Sequence, residues 1–268
     1  MPSLEGQVLI VTGSTQGVGE AIALESARLG AAGVVVCGRN AENGQRVAEE
    51  VAGIGAESLF VEADLADVDA TQSIISACDE RFGRVDGLVN AAAMTTRGTL
   101  ASTTVELWDH LFAINVRAPF LLTQGAVEIM RREKISGSIV NIISVAAYCG
   151  LPHIAAYSAT KGALATFTKN CANGLLHDTI RVNGIMLGWT DTPNEDVVQK
   201  QQGSPDDWLS IGEEDSPFGR LLKPYDVAKL TCFLLSSDSG VMTGSLIDQA
   251  QRIIGTLSMP DNITGKDV

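Results

Sequence analysis

Basic residues are scarce in this sequence of 268 residues. It contains 19 lysines and arginines against 32 aspartates and glutamates, which gives a net charge of −13. Such a charge repels the phosphate backbone of DNA and RNA, and we therefore expect no nucleic-acid partner. Hydrophobic residues still make up 45% of the chain, a fraction typical of a packed globular protein rather than a disordered one.

Cysteine and histidine are also rare. The 5 cysteines include no C-x-x-C pair, and the 3 histidines lack the spacing of metal ligands. These observations predict that the protein has no metal site and that its thiols are reduced, as in a cytoplasm. The thiols are those of Cys37, Cys78, Cys149, Cys171 and Cys232.

Long hydrophobic runs are missing as well. No apolar stretch approaches the roughly 20 residues that a transmembrane helix needs. The N-terminal sequence MPSLEGQVLIVTG has no basic segment before an apolar run, so it does not resemble a signal peptide. We expect no membrane partner and a cytoplasmic location.

Short β-branched segments alternate with longer helical patterns along the chain. We predict strands near 7–12, 33–37, 58–62, 86–90, 138–143, 180–186 and 243–248, and helices near 18–30, 41–53, 67–82, 104–133, 155–176 and 224–237. Apolar strands separated by helices indicate a parallel sheet covered on both faces. The pattern predicts an α/β fold, a single doubly wound Rossmann-like domain over 1–268 with a seven-stranded parallel sheet.

One segment, 188–218, breaks this alternation. It is polar, contains prolines and follows the sixth predicted strand. A long polar insertion in a compact domain is usually a lid or binding loop. We expect it to lie over the carboxyl ends of the strands, where folds of this class bind their ligands.

A glycine-rich loop links the first strand to the first helix. Glycines spaced G-x-x-x-G-x-G let the backbone turn tightly and approach a pyrophosphate, which then lies at the helix N-terminus. The pattern differs from the commoner G-x-G-x-x-G, and its position directly after a strand is what favours a dinucleotide site. The loop consists of Gly13, Ser14, Thr15, Gln16, Gly17, Val18 and Gly19.

The second strand ends in Cys37-Gly38-Arg39, without the acid that binds the adenosine ribose in many NAD sites. Arg39 offers a guanidinium fork for a 2′-phosphate. We therefore predict a moderate preference for NADP, with NAD also possible. The alternative is that Arg39 is a solvated arginine in a turn.

Tyr157 precedes Lys161 by about one helical turn, so the two side chains share a helix face. This is either an ordinary helix surface or a tyrosine held beside a cation. To act near pH 7 a phenol must lose about 3 pKa units, or ~4 kcal/mol. A cation at ~4 Å supplies ~1 kcal/mol in water but ~4 at an effective dielectric near 20, so only an enclosed pair would suffice.

The order and spacing of these features resemble the short-chain dehydrogenase/reductase family over about residues 5–250. The resemblance rests on the T-G-x-x-x-G-x-G loop, Asn115, Ser144 and the Y-x-x-x-K of Tyr157 and Lys161. It implies that Tyr157 is the general acid/base, that Lys161 lowers its pKa and holds the nicotinamide ribose, and that Ser144 binds the substrate oxygen. Asn115 would position a water in a proton relay.

The same resemblance implies further contacts. Cofactor contacts fall on Asp64, Leu65, Asn90, Ala91, Ala92, Gly188, Thr190 and Thr192, and substrate contacts on Ser144, Tyr148, His153 and Tyr157. It also implies a homotetramer built from the Tyr157 helix and the 104–133 helix. The sequence departs from the family where Asn90-Ala91-Ala92-Ala93 replaces N-N-A-G and where Leu187-Gly188 replaces Pro-Gly.

These features favour an NAD(P)-dependent oxidoreductase that interconverts a secondary alcohol and a carbonyl. The polar lid, with Asp191, Asn194, Glu195 and Asp196, suits a sugar or polyol. One alternative is a 3-oxoacyl-thioester reductase, for which Arg131, Arg132 and Lys134 would form a basic cluster facing an acidic carrier. An alternative of another class is a non-catalytic dinucleotide sensor.

Overall fold

Seven parallel strands form the central sheet in the part of the chain that the computed structural model describes, residues 2–148 and 150–254. Their order is β3-β2-β1-β4-β5-β6-β7, which confirms the predicted doubly wound α/β fold. The predicted domain limits, residues 1 and 268, and Cys149 lie outside the described residues. The strands are β1 (Val8–Thr12), β2 (Gly33–Gly38), β3 (Glu57–Glu62), β4 (Gly87–Asn90), β5 (Ser138–Ile142), β6 (Arg181–Leu187) and β7 (Leu246–Gln249).

Helices cover both faces of the sheet. They are α1 (Gly17–Arg28), α2 (Ala41–Ile54), α3 (Val68–Phe82), α4 (Val105–Phe112), α5 (Ala118–Glu133), α6 (Ala155–Gly174), α7 (Pro193–Gln201), α8 (Trp208–Glu214) and α9 (Pro224–Leu235). No helix in the described ranges combines the length and apolar character needed to cross a membrane.

The alternation of side chains along β1 shows how the core is divided. Leu9 and Val11 pack with buried residues of α1, α2 and α9, whereas Val8 and Ile10 pack with those of α3 and α5 on the opposite face. Because successive residues of such a strand are buried on opposite faces of the sheet, the whole strand is apolar, as it is in the sequence of β1. Each fully buried aliphatic side chain contributes about 1.5–3 kcal/mol.

The single helix predicted over 104–133 is divided in two. A π-helical turn at Ala113–Arg117 separates α4 from α5. Pro119, in the first turn of α5, has no N–H to donate to the carbonyl of Asn115 four residues earlier, so regular α-helical bonding cannot continue there. The interruption falls on Asn115, one of the predicted site residues.

The segment 188–218 contains more regular structure than the loop that its composition predicts. It forms α7 and α8, of which α7 begins with Pro193 and is capped by Thr192, whose side chain accepts from the N–H of Glu195. Proline at the first helical position and threonine before it are typical helix-start signals. The polarity of the segment concealed them, because α7 exposes most of its surface.

Candidate active site

A cleft of about 680 Å³ opens at the carboxyl ends of the strands. β1 lies between β2 and β4 in the sheet, so the chain leaves β1 and β4 in opposite directions and creates a crevice at that point. The glycine loop, Arg39 and Asp64 line one part of the cleft, and Tyr157 and Lys161 line another.

The glycine loop has the conformation that the sequence predicts. Gly13 and Gly17 have φ values of 64° and 60°, in the left-handed region that favours glycine. A Cβ on Gly13 would lie 2.7 Å from the Cα of Ala92, so only glycine allows the loop to approach the segment after β4. Gln16, the residue before α1, makes no side-chain cap, which leaves the N–H groups of the first turn to an anion. The loop therefore fits the pyrophosphate of a dinucleotide.

Within this loop Ser14 has a structural contact. Its hydroxyl donates to the carbonyl of Val11 at 2.6 Å and accepts from the N–H of Cys37 at 3.0 Å. The side chain is fully buried and thus joins β1 to β2 beneath the cleft. Thr15, Gln16, Val18 and the glycines line the cleft itself.

Arg39 and Asp64 lie at the ends of β2 and β3 and line the cleft together with Leu65. Arg39 is exposed and, among the described residues, is the arginine that makes no hydrogen bond or ion pair. Oδ1 of Asp64 accepts from the N–H of Ala66 at 3.0 Å, which fixes the carboxylate at the lip of the cleft. A free guanidinium and a fixed acid are thus available to the adenosine part of a dinucleotide.

Ser144, Tyr157 and Lys161 meet at the other part of the cleft. Ser144 follows β5 and lies close enough to Tyr157 to lower the pKa of the phenol, while the ammonium of Lys161 donates to the carbonyl of Ile142 at 2.8 Å. The Nζ atom of Lys161 lies 5.7 Å from the centroid of the Tyr157 ring. β5 and α6 therefore bring together three of the four residues that the resemblance implied.

Burial controls the protonation of this group. Burial raises the pKa of Tyr157 to about 12, and the charge of Glu195 raises it further. Ser144 and Arg97 act in the opposite direction and lower this pKa. Burial also lowers the pKa of Lys161 to about 8. The shift of Tyr157 is opposite to the lowering expected from Lys161, because loss of solvent outweighs the favourable contacts. The phenol is consequently protonated at neutral pH.

Asn115 is fully buried, and its side chain has a fixed set of partners. Oδ1 accepts from the N–H of Met94 at 2.8 Å, and Nδ2 donates to the Met94 carbonyl at 2.9 Å and to the Thr160 hydroxyl at 3.1 Å. Thr160 in turn donates to the carbonyl of Tyr157. The Asn115 side chain thus joins the segment after β4 to α6, and it is the backbone carbonyl of Asn115 that Pro119 leaves without an α-helical donor.

The segment after β4 is supported from β1. The hydroxyl of Thr12 accepts from the N–H groups of both Ala91 and Ala92 at 3.0 Å. Asn90 is buried and donates to Asn141 on β5 at 2.8 Å. Ala91 and Ala92 line the cleft.

The lid residues differ in their positions. Thr192 lines the cleft, whereas the hydroxyl of the buried Thr190 donates to the carbonyl of Gly188 at 3.0 Å. Gly188 itself donates its N–H to Gln249 on β7. Their contacts with a cofactor stay predictions.

Tyr148 and His153 are both exposed and are not among the residues that line the cleft. The hydroxyl of Tyr148 donates to Asp248 at 2.9 Å. Their predicted contacts with a substrate stay predictions.

Comparison with known proteins agrees with this geometry. A family described as "Enoyl-(Acyl carrier protein) reductase" matches residues 13–248. The NADP-dependent (R)-specific alcohol dehydrogenase of Lentilactobacillus kefiri is 32% identical over 90% of this chain and 94% of the relative. A solved "short chain dehydrogenase/reductase family protein" is 33% identical, with a TM-score of 0.79 over 93% of this chain and 97% of the other.

The chain belongs to the short-chain dehydrogenase/reductase family. It is an enzyme that acts on CH–OH groups with NAD(P). A further solved relative, L-sorbose reductase from Gluconobacter frateurii complexed with NADPH and L-sorbose, is 28% identical with a TM-score of 0.88 and covers 95% of this chain and 99% of its own.

The departures from the family pattern now have a structural context. Thr12 holds the two N–H groups after Asn90, so the sheet retains support there although Ala91 has no side-chain amide. Ala93 is exposed and lines the cleft, which places its methyl group at the wall rather than in the core.

The sequence did not predict that two charged residues, Arg97 and Glu195, form an ion pair. Arg97 was not selected, and Glu195 was noted only as part of a polar lid. Arg97 Nη2 lies 3.0 Å from Oε1 of Glu195, although the two residues are 98 positions apart. An isolated arginine just beyond the carboxyl end of β4 was the available signal, since that is where such folds bind ligands.

No group of three or more potential metal ligands occurs in the ranges 2–148 and 150–254. Cys37, Cys78, Cys171 and Cys232 are free thiols there.

Proposed function

We propose that this enzyme prefers NADP(H) and interconverts a secondary alcohol and a ketone, with Tyr157 as general acid and base. The observation that carries the proposal is that Tyr157 and Lys161 line the same cleft as the glycine loop, with Ser144 close enough to the phenol to lower its pKa. A donor pair beside a dinucleotide site is what a carbonyl reduction needs.

In the reduction, the hydroxyl of Ser144 donates a hydrogen bond to the carbonyl oxygen of the substrate. NADPH, when bound along the glycine loop, supplies the hydride to the carbonyl carbon. Tyr157 gives its proton to the same oxygen as negative charge develops there, so the product is the neutral alcohol and the phenol becomes a phenolate. In the oxidation the phenolate takes the proton of the alcohol.

The phenolate must then recover a proton from solvent. Lys161 lines the cleft beside Tyr157, and the backbone carbonyl of Asn115 has no α-helical donor because residue 119 is proline. A water molecule that donates a hydrogen bond to that carbonyl would complete a path for protons from Lys161 to solvent. In this role the Asn115 side chain acts as a positioning group, because its amide is occupied by Met94 and Thr160.

The preference for NADP(H) rests on Arg39. Its guanidinium lines the cleft at the end of β2 and is free among the described residues, so binding a 2′-phosphate would break no existing contact. One charge-assisted hydrogen bond contributes ~1.5–3 kcal/mol, or roughly 10- to 150-fold. We therefore propose a moderate rather than an absolute preference.

A sugar or polyol is the proposed substrate class. Asp191 pairs with Lys223, and Asp196 pairs with Lys200, so these two acids stabilise the lid itself. Asn194 lines the cleft and donates to Thr95 at 3.1 Å, and the relative that binds L-sorbose has a similar fold. The lid therefore offers polar groups to a hydroxylated compound.

The structure favours the thioester alternative less. Arg131 pairs with Asp178, and Arg132 pairs with Asp79 and Glu133, so the basic cluster is largely neutralised. An acidic carrier protein would find little positive field there. A non-catalytic sensor would not need the Tyr157, Ser144 and Lys161 arrangement.

We further propose a homotetramer in a cytoplasmic setting, which suits the free thiols. The rings of Phe120 on α5 and Phe167 on α6 pack edge to face, with their centroids 6.1 Å apart. Phe120 is 46% exposed. A side chain at Gly162 would meet open space, so α6 can approach a second copy closely. Light scattering at micromolar concentration is expected to report four chains, and a monomer would contradict this proposal.

A screen with NADPH and NADH tests the function directly. Ketoses and 3-oxoacyl thioesters are offered to the purified protein with these reduced nucleotides, polyols and hydroxysteroids are offered with NADP+ and NAD+, and nucleotide absorbance is followed. Turnover of a hydroxylated ketone with NADPH is expected. Turnover restricted to oxoacyl thioesters would favour the alternative, and no turnover across the screen would contradict the proposal.

A further inference from the structure

Arg97 lies in the segment that follows β4 and lines the cleft together with Met94, Thr95 and Thr96. Its side chain is 22% exposed, so it is partly withdrawn from solvent. Tyr157 lines the same cleft, so the guanidinium borders the space that contains the proposed reaction centre. Arg97 therefore stands where a substrate would extend beyond its reacting carbonyl.

The guanidinium of Arg97 is fixed by a residue of the lid, Glu195 on α7. Oε1 of Glu195 accepts from Arg97 at 3.0 Å, from the indole N–H of Trp189 at 2.9 Å and from Gln199 at 2.7 Å. The carboxylate is 15% exposed and is fixed from three directions. Since Glu195 is in the first turn of α7, shortly after Thr192, the position of Arg97 depends on the position of that turn.

This pairing limits what Arg97 can bind. Arginine has five N–H donors. Within the described residues, the hydrogen bond recorded for the Arg97 side chain is the one from Nη2 to Glu195. The remaining donors require acceptors, because an unpaired donor that is partly buried loses its hydration. Glu195 already neutralises the positive charge, so the acceptor need not be an anion.

We propose that Arg97 is a specificity-determining residue that donates hydrogen bonds to a hydroxyl oxygen next to the reacting carbonyl, and that Glu195 positions it. This inference rests on the proposed function and narrows its substrate class to uncharged α-hydroxy ketones. A carboxylate in place of the hydroxyl is disfavoured, because it would have to approach the fixed charge of Glu195 in a protein whose net charge is −13.

The test compares 2-hydroxycyclohexanone with cyclohexanone, two ketones that differ by the hydroxyl group alone. With NADPH we expect the native enzyme to prefer the hydroxy ketone in kcat/KM by roughly 10- to 150-fold, the value of a hydrogen bond to a charged group. Arg97→Leu is expected to reduce this ratio to below about threefold, mainly through a higher KM for the hydroxy ketone. Arg97→Lys, which retains the charge without the fork, is expected to give an intermediate ratio.

Two further variants separate contact from positioning. Glu195→Gln keeps an acceptor for Arg97 but leaves its charge unbalanced, so we expect a smaller ratio and a gain for 3-oxocyclohexanecarboxylate, a carboxylate ketone that does not decarboxylate. Arg131→Leu is the matched control, because it removes an arginine paired with Asp178 outside the cleft and is expected to leave the ratio unchanged. NADPH binding by fluorescence verifies that each variant is folded.

The outcomes distinguish the two proposals. If Arg97→Leu binds NADPH and keeps the native ratio, or if the native enzyme reduces both ketones equally, the role of Arg97 is overturned while the oxidoreductase function stands. A native preference for the carboxylate compound overturns the choice of an uncharged substrate. Absence of turnover with every ketone contradicts the proposed function itself, and the inference falls with it.

Discussion

The guanidinium of Arg97 and the carboxylate of Glu195 form a 3.0 Å ion pair that joins the segment after β4 to the first turn of α7. Both charges act on Tyr157, whose pKa Glu195 raises and Arg97 lowers. Because their effects have opposite signs, the two charges oppose each other at the phenol. Removing one partner exposes the effect of the other.

Opposite shifts of the pH profile are therefore expected for Glu195→Gln and Arg97→Gln. Reduction needs protonated Tyr157 and is lost as the pH rises through its pKa, whereas oxidation needs the phenolate and grows over the same interval. Glu195→Gln lowers that pKa, so the fall of reduction and the rise of oxidation, the two limbs of the pH profile, both move to lower pH. Arg97→Gln raises the pKa and moves both limbs to higher pH, and each shift is roughly half a pH unit. Profiles of kcat/KM in both directions measure the shifts.

Other charged groups near the phenol stay constant in this comparison. Lys161 lies on the same helix as Tyr157, and His110 on α4 lines the same cleft. The matched controls are Arg131→Gln and Asp178→Asn, which break an ion pair outside the cleft and should leave both limbs in place. Shifts of the same sign in the two cleft variants would contradict the electrostatic explanation.

Tyr157→Phe removes the transferable proton and retains the ring. We expect turnover to fall by at least ~10²-fold, the lower end for a lost general acid/base, with little change in NADPH binding. Tyr225→Phe is the matched control, since the hydroxyl of Tyr225 lies 3.3 Å from Glu25 on the α9 side of the sheet. Near-normal turnover of purified Tyr157→Phe would remove the basis of the catalytic assignment.

The sheet was predictable because its signal is local. Strands of four to seven mostly apolar residues and the helices between them carry their patterns in short windows. The π-turn at Ala113–Arg117 was not predicted, although Pro119 lies in the interior of the helix predicted over 104–133, where proline interrupts α-helical bonding. Only its combination with a helix that continues upstream disrupts the bonding.

The site was predictable where residues are close in sequence or follow strands in a fixed order. Tyr157 and Lys161 share one helix face, and Ser144 follows β5 directly. The pair of Arg97 and Glu195 could not be predicted in this way, because it depends on how α7 folds back over the sheet. The direction of the Tyr157 pKa shift was also missed, since burial is a property of the whole fold.

Pro119→Ala should slow proton exchange without disturbing the fold. Alanine restores an N–H four residues after Asn115, and that N–H can occupy the carbonyl proposed to hold a relay water. We expect kcat to fall by about tenfold, less than for loss of the acid itself, with NADPH affinity preserved. A larger solvent deuterium isotope effect on kcat would identify proton transfer as the slowed step, and an unchanged kcat would argue against this relay.

Changing the cofactor preference requires attention to Thr15. A Cβ on Gly38 would lie 2.7 Å from Cγ2 of Thr15 and 3.1 Å from its Oγ1. Gly38→Asp therefore introduces a carboxylate and a steric conflict together. Thr15→Ser removes the methyl group responsible for the shorter contact and leaves the 3.1 Å approach to Oγ1, so the charge effect can be measured with less steric conflict.

In the native enzyme we expect kcat/KM to favour NADPH over NADH by roughly 10- to 150-fold, because Arg39 is free to bind the 2′-phosphate. Gly38→Asp with Arg39→Ile and Thr15→Ser should reverse this preference, since the carboxylate repels a phosphate and accepts from ribose hydroxyls. Thr15→Ser alone is the control and should retain the native ratio. A native enzyme that favours NADH would show that Arg39 stays in solvent and that the glycine loop and Asp64 determine the choice of dinucleotide.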